Sequence, residues 1–230
     1  MQQGLVILPI VLPVLFWAVY HYHKDRHLPE PLGNLLLAFA LGMLAAGVSK
    51  GLYVSLDFVG LRYDAGALAE TSTLGLFFYA LLAIGPIEEF AKLLPFLLVI
   101  VRFDEFDEPL DGIIYASFLG LGYAAVENWQ YLAYLTPLEA TLRGFASPIV
   151  HILFASIWGH WIARAVLSGR AMAKAAVTGF AIAALLHGLY DFIVIMKPGS
   201  ALPVAALLIL VVWLWRLKLM QDLQKEASRR

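Results

Sequence analysis

The chain has 230 residues, of which 61% are hydrophobic and 14% charged, and its mean hydropathy is +0.79. That is too little polar surface for a soluble domain, so the composition points to a membrane protein. The net charge of −1 gives no electrostatic case for nucleic acid, and the absence of cysteine excludes disulfides and thiol chemistry.

A membrane-spanning helix needs about 20 mostly apolar residues. By that rule the chain reads as seven spans: Gly4–Tyr20, Gly33–Leu56, Thr73–Val101, Leu110–Tyr134, Ser147–Leu167, Ala175–Ile195 and Ala201–Leu219. The expectation is an all-α, polytopic helical bundle, with residues 1–230 forming one integral membrane domain. The connections are short, with no internal repeat and no low-complexity tract. No basic segment precedes the first apolar stretch, while Lys24 and Arg26 follow it, so it reads as a retained span rather than a signal peptide. Cytoplasmic connections are enriched in Lys and Arg. With the N-terminus outside and the C-terminus inside, 11 of the 16 basic residues fall on the inner side, Arg216 among them. Lys50, Arg62, Arg143 and Lys197 fall outside, and Lys92 lies within a span. The expected topology is therefore N-out, C-in.

The first span ends in His21, His23 and His27, interleaved with Lys24, Asp25 and Arg26, an arrangement that suits the membrane interface. The third span carries "AIGPIEEFAKLLPFL" (Ala83–Leu97), with Glu88, Glu89 and Lys92 in an otherwise apolar run. Gly85-Pro86 can break or kink this long segment. A half-helix starting there would put both acids in its first turn, at the positive end of its dipole, with Lys92 neutralising one of them. The fourth span holds "GYAAVENW", with Tyr123, Glu127 and Asn128; Gly120 and Gly122 allow close approach of a neighbouring backbone. Asp111, at the start of this span, reads as a cap. The fifth span contributes His151 and, two to three turns on, His160, which reads as structural. The sixth contains "ALLHGLYDF", with His187 and Asp191. The acidic connection "FDEFDEPLDG" reads as a solvated loop.

A charge at the bilayer centre costs about 2.5–3.5 kcal/mol on insertion scales, so embedded acids and histidines normally face a bundle interior and serve a function. At about 1.5 Å per residue, Glu88 lies roughly 20 Å above the inner boundary, Glu127 roughly 25 Å, His187 roughly 18 Å and Asp191 roughly 24 Å. His151 lies roughly 6 Å below the outer boundary. All fall in the outer half of a core about 30 Å thick. Glu88/Lys92, Tyr123/Glu127 and His187/Asp191 are each four residues apart, so each span presents a polar stripe on one face. The expectation is one site, opening outward, built by four helices.

Such a set supports three chemistries. Carboxylates can activate water for peptide hydrolysis, with histidine as acid or oxyanion stabiliser. Glu and His can hold a divalent metal, although HExxH is absent and Lys92 opposes a cation. Embedded acids and histidines also build proton or ion pathways, or a polar core that holds partner helices. Inverted repeats and paired broken helices, the marks of the commoner transporters, are not visible.

The motifs resemble those of PrsW-type intramembrane proteases, a glutamic group within the CPBP superfamily. "EEFAK" (88–92) is similar to their EExxK motif, "YAAVEN" (123–128) to FxxxE followed by Asn, with Tyr123 in place of Phe, and "HGLYD" (187–191) to HxxxD. His151 in "HILFAS" fits a further histidine of the family. The early "KDRHLPEP" and the link "DEPLDGIIYASFLGLGYAAVEN" are similar as well, so the likeness covers nearly the whole chain. The resemblance implies a CPBP-like bundle in a prokaryotic plasma membrane that cleaves single-span proteins such as anti-sigma factors near the outer face, a site-1 type of cut. It implies that Glu88 activates water with help from Glu89, that His187 and Asp191 hold the oxyanion, and that Glu127 polarises or positions the water. Lys92 would pair with an acid, and Tyr123 and Asn128 would support the site. No cofactor is expected, with a divalent metal left open; the expected partners are a single-span substrate and membrane lipid.

Overall fold

The computed structural model describes residues 2–24, 29–196 and 198–227. The regular structure of the described residues is all helical, with no strand among them. The long helices are α1 (Gln2–Lys24), α2 (Leu32–Ser55), α6 (Pro109–Tyr131), α7 (Pro137–Leu167), α8 (Met172–Met196) and α9 (Pro198–Ala227). Between α2 and α6 lie the short α3 (Ala65–Thr71) and α4 (Thr73–Tyr79), a π-helical turn (Ala80–Ile84) and α5 (Gly85–Leu98). Among the described residues, five stretches are long and apolar enough to cross a membrane: Leu32–Val59, Pro109–Tyr131, Pro137–Leu167, Met172–Met196 and Leu202–Glu226. The sequence led us to expect seven. The expected first span lies inside α1, and the expected third is not one continuous α-helix.

That third segment differs from its expectation in an instructive way. Pro86 has no N–H to give to the preceding turn, and the helix responds by widening. The Gly85 N–H bonds to the Ala80 carbonyl, and the backbone stays right-handed helical at Tyr79, Ala80, Ile84 and Gly85. No free helix start forms, so the acids must be compensated by side chains rather than by a new dipole. Wide turns of this kind recur at functional sites.

Caps explain where the other helices begin. Glu108 and Asp111 form a reciprocal capping box for α6, in which Asp111 accepts from the Asp107 and Glu108 amides at 2.9 and 2.6 Å. The capping role expected of Asp111 is thus observed. Thr136 and Glu139 do the same for α7, which starts ten residues earlier than the Ser147 read from hydropathy, because the first turns of α7 are polar.

Helix α6 is the centre of the bundle, packed between α7 and α2 and buried along most of its length. Small residues make that possible. Gly112 and Gly159 face each other where α6 and α7 cross, Gly120 lies against the His151 backbone, and Gly122 against the Phe39 carbonyl of α2. The close approach expected of Gly120 and Gly122 is therefore present. A Cβ on Gly112 would collide with the Gly159 carbonyl oxygen and the Ala163 methyl. Gly112→Ala is expected to cost about 1–3 kcal/mol, read as a lowered unfolding temperature in detergent; an unchanged temperature would show that the crossing is looser than described.

Two polar residues depart from their sequence reading. Arg216, counted as an interfacial cation, is fully buried. Its Nε donates to Ser156 Oγ at 2.9 Å and its Nη2 to Ser117 Oγ at 2.8 Å, so α9 is tied to α7 and α6. Counting basic residues by side cannot see which face of a helix they occupy. His21 is likewise buried, not interfacial, and its Nδ1 donates to the Trp17 carbonyl at 2.7 Å. His23 is exposed as expected, and His27 lies outside the described residues.

Candidate active site

A cavity of about 640 Å³ opens at the bundle end that carries the Gly60–Asp64 turn and the α6–α7 turn. Its floor holds Glu88 from α5, Glu127 from α6, His151 from α7, and His187 and Asp191 from α8. Four helices converge there, as the depth estimate led us to expect. Helices α5 and α8 come close because Gly85 and Gly188 face the opposing backbones of Ala184 and Ala80.

Glu89 sits behind the floor, fully buried and fully bonded. One oxygen, Oε1, accepts from Lys92 Nζ at 2.5 Å and from His187 Nδ1 at 2.7 Å. The other accepts from the Trp158 indole at 2.8 Å. Lys92 reaches on to His151 Nδ1 at 3.1 Å and lies over the Tyr123 ring at 4.9 Å. His151 Nε2 is 2.9 Å from Glu127 Oε2. A carboxylate only accepts, and an ammonium only donates. Hence His151 donates from Nε2 to Glu127 and accepts at Nδ1 from Lys92, with both ring nitrogens engaged. Glu127 Oε2 also takes Arg143 Nη2 at 2.9 Å and Ser147 Oγ at 3.2 Å. Arg143 in turn stacks on Tyr131, 3.7 Å from the ring centroid.

The same donor logic applied to His187 gives an asymmetric ring. Nδ1 donates to Glu89, while Nε2 points into the cavity, 3.6 Å from both Glu88 Oε2 and Asp191 Oδ2. Glu88 Oε2 and Asp191 Oδ2 are buried without a hydrogen-bond partner. The other Glu88 oxygen accepts from Tyr53 at 3.2 Å. Buried polar atoms normally find partners, so this edge is shaped to receive something. The site also holds four carboxylates, Glu88, Glu89, Glu127 and Asp191, against two fixed cations, Lys92 and Arg143. Two protons or one divalent cation would balance it.

Of the residues singled out from sequence, Glu88, Glu89, Lys92, Glu127, His151, His187 and Asp191 form this one connected group. Tyr123 supports it, packing on His151 and bonding to Ser49 Oγ at 2.8 Å. Asn128 does not join: both its amide atoms are buried without partners. Sequence reading passed over Tyr53, Ser49, Arg143, Ser147 and Trp158. The signal was there, since Ser49 and Tyr53 are four residues apart, and so are Arg143, Ser147 and His151 in succession.

A buried carboxylate–imidazole cluster among membrane-spanning helices is a site suited to hydrolysis, metal binding or proton transfer, and the comparison with known proteins selects the first class. A profile described as "PrsW family intramembrane metalloprotease" matches residues 30–216, and the chain belongs to that family of intramembrane proteases. The curated relatives include Protease PrsW of Oceanobacillus iheyensis, 31% identical, over 90% of this chain and 92% of that protein. Protease PrsW of Clostridioides difficile is 27% identical, over 95% of this chain and 90% of its own length. That of Bacillus subtilis is 29% identical, over 80% and 79%. No solved structure matches the chain.

Proposed function

We propose that the protein is a glutamic-type intramembrane endopeptidase in which Glu88 activates water against a peptide bond. The observation that carries this reading is the unpartnered edge of Glu88 Oε2, His187 Nε2 and Asp191 Oδ2 at the cavity floor. Water held between Glu88 and His187 gives a proton to Glu88 as its oxygen bonds to the scissile carbonyl carbon. His187, protonated on both nitrogens, and a protonated Asp191 donate to the resulting oxyanion. Glu88 then passes its proton to the departing amine as the C–N bond breaks. Glu89 holds the His187 ring, and Glu127, clamped by Arg143, holds His151 against the cavity. This gives His151 and Glu127 a positioning role beside the reacting edge.

The substrate class we propose is a single-span membrane protein, of the anti-sigma-factor kind, cut near the outer face of a prokaryotic plasma membrane in an N-out, C-in topology. Residues 1–230 form one protease domain of the CPBP type in this reading. The cationic end of α7 and α8 lies opposite the cavity mouth, which supports that orientation.

The family description favours a second reading, and the residues fit it. Glu88, His151 and His187 each offer a ligand atom, all within 4.8 Å of one another and all buried. A carboxylate with two imidazoles is a zinc donor set, and the ion would polarise the carbonyl and water. His151 would have to release Lys92 or Glu127 to join it. Incubation of the purified protein with a single-span substrate, with and without chelator, separates the readings. Undiminished cleavage in chelator is expected; loss with chelator and recovery with Zn²⁺ would replace the first reading with the second.

A further inference from the structure

At the bundle end opposite the cavity, α7 and α8 enclose a groove of about 410 Å³ that the proteolytic reading does not use. It is lined by His160, Trp161 and Arg164 on α7, Arg170 in the turn, and Lys174 and Thr178 on α8. His160 and Arg164 are four residues apart, as are Lys174 and Thr178, so a polar stripe from each helix faces the same space. None of the described lining residues is acidic, and none of the three cations forms an ion pair among the described residues. His160 is only 9% exposed, and its Nδ1 is buried without a hydrogen-bond partner. The first turn of α8, beginning at Met172, borders the same groove through Lys174 and Ala175.

Three cations without ion-pair partners among the described residues converge on one groove, which calls for an anion with several acceptor oxygens. Its surroundings indicate where that anion resides. Trp161, 40% exposed, flanks the groove, and Val177 and Leu185 continue an exposed apolar face along α8. Exposed tryptophan beside basic residues at the end of a spanning helix marks the headgroup level. An amphiphile with a phosphate head and an acyl chain matches both parts.

We propose that this groove binds the phosphate of an anionic phospholipid. Arg164, Arg170 and Lys174 engage its oxygens, the Thr178 hydroxyl donates to it, and an acyl chain lies along α8. None of these residues belongs to the catalytic group, so the site stands or falls independently of the proteolytic reading.

The test uses the full chain purified in detergent and mixed with equal amounts of phosphatidylglycerol and phosphatidylcholine of the same acyl chains. Retained lipid is counted by native mass spectrometry. Wild type is expected to favour phosphatidylglycerol. Lys174→Gln is expected to lower the preference by about fivefold, and Arg164→Gln/Lys174→Gln by about that factor again. Lys174 is exposed, so the single variant decides the matter if the double variant unfolds. Equal retention of the two lipids by wild type would overturn the proposal, as would an unchanged preference in Lys174→Gln. Displacement of the lipid by millimolar inorganic phosphate would also overturn it, by making this a site for a soluble anion.

Discussion

Glu89→Ala is expected to destabilise the protein by about 3–5 kcal/mol and to abolish cleavage. The carboxylate is fully buried and takes three donors: Lys92, His187 and the Trp158 indole. Its removal leaves the Lys92 ammonium buried without its counter-charge, and breaking a buried pair from one side costs far more than replacing both members. Adding Lys92→Met to Glu89→Ala is therefore expected to recover much of the lost stability. Cleavage is not expected to return, because His187 still lacks the acceptor that orients its ring. Unfolding of the two single variants and the double variant in detergent gives the coupling directly. A Glu89→Ala protein as stable as wild type would mean that the pair is not the buried anchor described above.

His187→Asn separates orientation from chemistry. The asparagine amide retains a donor for Glu89 near the position of Nδ1 but offers nothing at the position of Nε2. Stability should change by about 1 kcal/mol or less if that hydrogen bond is kept. Turnover should fall by a factor on the order of 10²–10³, the usual loss when one oxyanion donor is removed. The measurement is initial cleavage rate beside unfolding temperature. A variant that cuts at the wild-type rate would remove His187 from the reaction and shift attention to His151.

Much of the site was legible because membrane burial makes ionisable residues conspicuous. Glu88, Glu127, His187 and Asp191 stand out against their apolar neighbours, and spacing plus rise per residue placed them at one level. What was not legible depended on helix rotation and on partners that are individually ordinary. Tyr53 and Trp158 look like routine membrane aromatics until α2 and α7 bring them to Glu88 and Glu89. Arg143 and Arg216 look like interface cations, yet one clamps Glu127 and the other is buried on two serines. The start of α5 was misjudged for a local reason: proline removes a donor, and the chain widened its turn instead of breaking. The orphaned oxygens of Glu88 and Asp191 are invisible to sequence, since they arise only where α5 and α8 meet.

The most direct measurement is the intact mass of a single-span substrate after incubation with wild-type protein and, in parallel, with Glu88→Gln. Glutamine keeps the shape and an acceptor for Tyr53 but cannot take a proton from water. The expected result is two fragments whose summed mass exceeds the substrate by one water with wild type, and intact substrate with a Glu88→Gln protein that unfolds at the same temperature. Equal cleavage by both proteins would contradict the assignment of Glu88 as the group that activates water.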